Sequence, residues 1–218
     1  MKNLIIFGGI GNGTVVLDAV IDINKRMDVN HYNIVGFVNN QYKSVQSIGG
    51  LPVLGDIGHL EDLLPKYDAY FINGISSVKT MSLVENLFDN KYPKLRERLV
   101  SIIHPNSFIG SSVKIGEGCF IGPQNYIGQN TEIGQNCFIH SQCYIARDSI
   151  ISDHNYFAPK VYIGAEVKTS KSVYFGAGSL VKERVNIGEK AIIGMGAVIV
   201  DNIESENIYY GEKAKKRN

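Results

Sequence analysis

Two hydrophobic rhythms divide the chain. Over residues 1–100, short apolar runs alternate with amphipathic stretches. Lys2–Phe7 predicts a buried strand, and it runs into Gly8-Gly9-Ile10-Gly11-Asn12-Gly13. Val15, Val16, Leu17, Ala19, Val20 and Ile23 then follow a helical period. Asn33–Val38 predicts a second strand that ends at Asn39-Asn40. Leu51-Pro52-Val53-Leu54-Gly55 follows, Ala69–Ile72 predicts a further strand, and a helix is expected from about Ser77 to Phe88. Strands alternating with helices predict a small parallel α/β layer.

From Ile103 onward the rhythm changes to six. Ile103, Ile109, Ile115, Ile121, Ile127, Ile133, Ile139, Ile145, Ile151, Phe157, Ile163, Thr169, Phe175, Val181, Ile187, Ile193 and Ile199 stand at constant spacing, and only Thr169 is polar. Glycine often comes next, as at Gly110, Gly128, Gly164 and Gly194. Four residues after each anchor the side chain is mostly small or β-branched, a set that includes Cys119, Cys137 and Cys143. A period of six suits neither an amphipathic helix nor a hairpin. It suits a triangular coil with three sides of six residues, each side turning one large aliphatic inward. Stacked coils then bury a core that a single coil could not bury. Seventeen hexads make about five and a half coils. The domains predicted are therefore residues 1–100 and residues 101–218.

Composition narrows the function classes. The 218 residues carry a formal net charge of +1, which leaves no footprint for nucleic acid or a membrane surface. No apolar run approaches the ~20 residues of a bilayer span, and the N-terminus lacks the features of a signal peptide, so a cytoplasmic location is expected. The basic tail Lys213, Lys215, Lys216 and Arg217 is short and reads as a solvated terminus. Three cysteines without CxxC spacing predict neither a disulfide framework nor a metal site, and their place in the hexad predicts packing roles.

The glycine turn after the first strand leaves room for backbone N–H groups to approach a phosphate at a helix N-terminus. Its spacing departs from GxGxxG, and Asn39 stands where dinucleotide enzymes carry an acid, so a nucleotide is expected there rather than NAD. A tight strand–helix turn without a ligand is the plainer alternative.

The whole chain resembles bacterial nucleotide-sugar acetyltransferases of the bacillosamine N-acetyltransferase and sialic-acid O-acetyltransferase type, in the hexapeptide-repeat acyltransferase superfamily. The resemblance rests on Ile5-Ile6-Phe7-Gly8-Gly9, Gly36-Phe37-Val38-Asn39-Asn40, Gly50-Leu51-Pro52-Val53-Leu54-Gly55 and Ile102-Ile103-His104-Pro105-Asn106-Ser107. It extends to Ile193-Gly194-Met195-Gly196-Ala197-Val198 and Gly211-Glu212-Lys213-Ala214-Lys215. It implies a Rossmann-like α/β domain that holds a nucleotide sugar, followed by an all-β left-handed parallel β-helix. It further implies acetyl-CoA as co-substrate, no metal, and a homotrimer with active sites between subunits. By position, Gly11, Asn12, Gly13, Asn39 and Asn40 would face the nucleotide, a UDP or dTDP sugar. Arg147 and Tyr156 would meet the sugar, and Ala165, Ala177, Gly194 and Met195 the CoA. Family members usually have His at the position of Asn12 and Asp at those of Asn39 and Asn40.

The catalytic pair also departs from the family. A His-Glu or His-Asp dyad is usual where this chain has Arg147-Asp148, and arginine cannot act as a base. His31 and His59 lie in surface-like segments, and His104 precedes Pro105 in a place that suits a structural hydrogen bond. His140 follows the inward Ile139 where the family tends to have a substrate-contacting asparagine, and His154 lies in the surface-like run Asp153-His154-Asn155. The candidates for the base are His140 with Asp148 nearby, His154, or none, the last relying on proximity to an amine that arrives unprotonated. A missing dyad favours N-acylation over O-acylation, because a hydroxyl needs a base and a sugar amine does not. The expected reaction is acetyl transfer from acetyl-CoA to the amino group of a nucleotide-linked amino sugar, in lipopolysaccharide or other glycan biosynthesis. The alternatives are sugar O-acetylation and a non-catalytic nucleotide-sugar-binding protein.

Overall fold

The computed structural model describes residues 1–27, 31–41, 43–75 and 81–211. The chain divides into two compact units, Met1–Pro105 with Gly116–Pro123 and Asn106–Ile115 with Gln124–Asn218.

The first unit is built on strands β1 (Lys2–Phe7), β2 (Tyr32–Val38), β3 (Ser47–Ile48), β4 (Leu51–Gly55) and β5 (Ala69–Asn73), in the order β3-β4-β2-β1-β5. The pairings β4–β2, β2–β1 and β1–β5 are parallel. The β3–β4 pairing is antiparallel, so the sheet is mixed rather than purely parallel as expected. The cause is Gly49-Gly50, whose φ values of 56° and 80° fold Ser47–Ile48 back on Leu51-Pro52.

Helix α1 (Asn12–Arg26) buries Val16, Leu17, Ala19, Val20 and Ile23, the face set by its apolar period. Leu60, Leu64, Phe71, Leu87, Leu95 and Leu99 form a further core with Ile5 and Phe7. The expected helix near Ser77 is described from Met81 to Asn86 and continues as a wider turn to Lys91; its predicted start lies outside the described residues. The basic tail from Lys213 also lies outside them. His104, 2% exposed, places Nε2 2.9 Å from the Asp22 carboxylate on α1, a structural tie.

In the second unit the hexads form a parallel β-helix. Two-residue strands recur at every side and pair in parallel with strands eighteen residues on, as Tyr126–Ile127 does with Tyr144–Ile145. The anchors Ile127, Ile145, Phe157, Ile163, Phe175, Val181 and Ile193 are fully buried, while Cys137 and Cys143 are almost so. Burial pushes the Cys143 thiol up to about 11, which keeps it an un-ionised packing group. Ile109 and Ile115 are only half-buried because the first coil has a neighbour on one side alone. In the first unit Ile103 is 38% exposed, short of the expected burial.

Successive coils approach so closely that a Cβ on Gly128 would lie 2.5 Å from the Arg147 nitrogen. The three faces differ outside. One carries Phe108, Tyr126, Tyr144, Tyr162, Leu180 and Val198 and is here called the aromatic face. A second carries Lys114, Glu132, Ile150, Lys168 and Asn186, with Lys114 Nζ 2.6 Å from Glu132. The third carries Phe138, Tyr156, Tyr174, Ile192 and Ile208 in this unit.

Candidate active site

In the first unit, the chain leaves β1 for β2 on one side and returns to β5 on the other. A topological switch point therefore opens at the carboxyl end of β1, where open α/β sheets bind ligands. Gly11, Asn12, Gly13, Asn39 and Asn40 all lie at this edge. Gly11 has φ 111° and ψ −125°, a conformation that a side chain would strain, and a Cβ there would meet nothing within 4 Å. Its carbonyl accepts the Thr14 hydroxyl at 2.7 Å, so the turn is closed by the first turn of α1, whose N-terminal amides face the crevice. Asn39 spans the loops: its Nδ2 donates to the Gly8 carbonyl at 3.1 Å, and its Oδ1 accepts from the Gln41 amide at 2.7 Å. The sequence reasoning missed Asn73, a buried amide at the end of β5 whose Oδ1 accepts from the Ile75 amide.

In the second unit the candidates divide between two corners of the prism. The corner joining the third face to the aromatic face carries His140, then Ala158, Gly176 and Gly194 in successive coils, with Ala177 stacked under Gly196. Its left-handed positions are Gln124, Gln142, Lys160, Gly178 and Gly196, so those positions carry no side chain in the last two coils. A Cβ on Gly178 or Gly196 would meet nothing within 4 Å. This smooth track beside Ala177 and the exposed Met195 can accept a slender chain such as a pantetheine arm lying along the backbone. The His140 ring packs 5.0 Å from Phe138 and edge-on to Tyr156 at 5.5 Å. Burial among these rings holds its imidazole below the ordinary histidine value and favours the neutral form.

The corner joining the aromatic face to the second face carries Arg147, Asp148 and Ala165. There a groove of about 580 Å³ is lined by Tyr126, Gln129, Tyr144, Arg147, Tyr162 and Glu183, among others. The Arg147 guanidinium pairs with the Asp148 carboxylate, which also accepts from Asn130 Nδ2 at 2.9 Å. The Asn130 hydrogen bond first, and then Arg147, lower the Asp148 pKa and keep it ionised.

The structure does not bring His140 and Asp148 together within one chain. They stand at opposite ends of one side of the prism, roughly 15–20 Å apart at the reach of an extended segment. His154 is 4% exposed rather than at the surface as expected. It takes the left-handed turn position between Asn136 and Ser172 on the remaining corner, and those two residues are buried as well. His31 is exposed, and His59 is held by Asp56 at 2.8 Å. Among the described residues, no cluster of side chains suits a metal ion and no helix is long and apolar enough to cross a membrane.

Residues 3–84 match the family model of the PglD N-terminal domain, and residues 103–169 match that of the GMPPB C-terminal domain. No curated protein matches the sequence. A solved structure of a perosamine N-acetyltransferase variant from Caulobacter crescentus, in complex with CoA and GDP-perosamine, is 22% identical. It covers 100% of this chain and 98% of its own, with a TM-score of 0.81. The chain shares the fold of perosamine N-acetyltransferase. The acetyltransferase domain of PglB from Neisseria gonorrhoeae is similar at 18% identity and TM-score 0.80, covering 99% of each chain. WeeI from Acinetobacter baumannii is similar at 22% identity and TM-score 0.79, covering 97% of each. The α/β layer followed by a left-handed parallel β-helix is thus the architecture of these proteins and of this chain.

Proposed function

We propose that the protein transfers acetyl from acetyl-CoA to the amino group of a nucleotide-linked amino sugar, in the cytoplasm, for the biosynthesis of a surface glycan. The observation that carries the reading is the prism corner swept clear of side chains at Gly178 and Gly196, which offers a path for the pantetheine arm. The crevice at the end of β1 supplies helix amides for the nucleotide's phosphates, through Gly11, Asn12 and Gly13, with Asn39 and Asn40 beside them. Ala177, Gly194 and Met195 attend the CoA on the cleared corner, while Arg147 and Tyr156 attend the sugar. The perosamine enzyme binds GDP-perosamine, so a GDP sugar joins UDP and dTDP sugars as a candidate substrate.

Incubation with acetyl-CoA and a panel of UDP-, dTDP- and GDP-linked amino sugars is expected to release free thiol with an amino sugar. The matching hydroxyl sugars should release none. Thiol release with hydroxyl sugars alone would favour O-acetylation, and none with any acceptor would leave a binding protein.

A homotrimer with shared sites completes the reading. The aromatic face stacks Phe108, Tyr126, Tyr144 and Tyr162 at centroid spacings of 5.0, 4.6 and 5.2 Å, yet Tyr162 remains 43% exposed and Val198 63%. A continuous apolar stripe of this kind calls for cover. Three copies with this face turned to a common axis bury it and bring the two corners that flank it, on neighbouring copies, into contact. Tyr144→Arg is expected to leave the fold intact, because the side chain is 39% exposed, but to turn a trimer into monomers by light scattering. Acetyl transfer should fall with the assembly. An unchanged trimer would remove this face from the interface.

A further inference from the structure

We infer that Asn73, at the end of β5, is a nucleotide contact that selects for an acceptor oxygen on the nucleoside diphosphate, because it has N–H donors and no acceptor left to offer. This rests on the proposed nucleotide crevice in the first unit. It deepens that reading by naming a further residue and the polarity of the groups it can meet.

Asn73 stands beside Phe7 in the β1–β5 pairing, one residue before Gly74. The Gly74 amide donates to the Phe7 carbonyl at 2.7 Å, and a Cβ on Gly74 would lie 3.0 Å from Gly13 Cα. The end of β5 is thereby drawn against the glycine turn and the first turn of α1, at the switch point. Along β5, Ala69, Phe71 and Asn73 share one face, and the first two belong to the core beneath it. Asn73 ends that row at the carboxyl edge and is only 5% exposed. Its Oδ1 accepts from the Ile75 amide at 2.9 Å, which settles which end of the side-chain amide is oxygen. Among the described residues its Nδ2 finds no partner, yet that atom is not sealed from solvent. A largely buried amide therefore keeps two unmet donors at the open edge of the crevice.

Asn39 and Asn40, after β2, repeat the pattern. Asn39 Oδ1 accepts from the Gln41 amide at 2.7 Å, and Asn40 Oδ1 from the Ile57 amide at 3.4 Å. All three asparagines thus spend their acceptor on the backbone. The Asp56 carboxylate, after β4, is taken up by the Gly58 amide at 2.9 Å and by His59. The first-turn amides of α1 add further donors. Such a rim suits acceptors: phosphate oxygens, or the exocyclic carbonyl of an oxo base. Thymine, uracil and guanine carry that carbonyl, whereas cytosine and adenine present an amino group in its place. An amino group would set donor against donor.

The test is nucleotide binding to the full chain by calorimetry, with UDP, CDP, GDP, ADP and inorganic pyrophosphate as probes. Asn73→Asp can still accept from the Ile75 amide but has no donor, so it separates a ligand contact from a role in the turn alone. It is expected to weaken UDP binding by about 10- to 100-fold. Asn73→Ser keeps a hydroxyl that can close the same turn but not the reach of Nδ2, and should weaken it by about 3- to 10-fold. Acetyl-CoA binding should be unchanged in both, as the control for folding; if Asn73→Asp loses it, Asn73→Ser decides. Equal weakening toward UDP, CDP and pyrophosphate places the contact on the phosphates. A wild-type preference for UDP over CDP and GDP over ADP that Asn73→Asp abolishes places it on the base. Either result sustains the inference. Variants that bind every probe as the wild type does would overturn Asn73 as a contact and leave the crevice standing, whereas a wild type that binds no probe overturns the nucleotide crevice itself.

Discussion

Replacing His140 with asparagine is expected to lower kcat for acetyl transfer by about 10²- to 10⁴-fold, the usual worth of a positioned base, with KM for acetyl-CoA changed little. Asparagine keeps a hydrogen-bonding group of similar size at the corner but cannot carry the proton, so the loss belongs to the chemical step. The pH profile gives a second readout. A base works when unprotonated, and burial between Phe138 and Tyr156 lowers the pH at which the imidazole gains its proton. The wild-type rate should therefore hold as pH falls through the ordinary histidine value of 6.5 and decline only below it. In His140→Asn that limb should vanish, leaving the titration of the substrate amine. An unaltered kcat and profile would remove His140 from the mechanism.

Phe157→Ala should lower the free energy of unfolding by about 3–5 kcal/mol, measured by chemical denaturation. Phe157 is fully buried and stacks on Phe175 at 4.6 Å, one coil above. The void cannot collapse readily, because the neighbouring coils are fixed by backbone hydrogen bonds such as Ala158 N to Phe175 O at 2.9 Å. A cost below about 1 kcal/mol would mean that the coils close over the gap, contrary to the close packing of their interior.

The prism was legible because a period of six returns one side chain to the interior from each of three sides, whatever the intervening residues. The corners were less so. Lys160, Glu166 and Arg184 all adopt left-handed φ near 60°, although none is glycine or asparagine. What holds them is a hydrogen bond to the coil before, such as Glu166 N to Arg147 O at 3.1 Å, which no local propensity encodes. The β3–β4 hairpin had a local signal in Gly49-Gly50, but Ser47–Ile48 carries no apolar run, so only Leu51–Gly55 stood out beside it.

At the candidate site the legible part was residue identity: Arg147 in place of a base, and glycines along one corner. His140 and Asp148 are eight positions apart, a separation that crosses one side of the prism, so within one chain they take different corners. The groove residues Gln129 and Glu183 were missed although they stand eighteen and thirty-six positions from Arg147. The exposed stack of Phe108, Tyr126, Tyr144 and Tyr162 has the same spacing of eighteen. Period six names the inward residues, and only period eighteen tells which outward residues are neighbours.

The coil-by-coil pairing also sets where the structure can give way. Each coil is hydrogen-bonded only to those before and after it, so the stack frays from its free ends, and an interior coil opens only after those outside it. Residues 138–155, which contain His140 and Arg147, have coils on either side. Backbone amides there should be among the last to exchange with solvent, and the candidate groups lose their arrangement only when the stack itself comes apart.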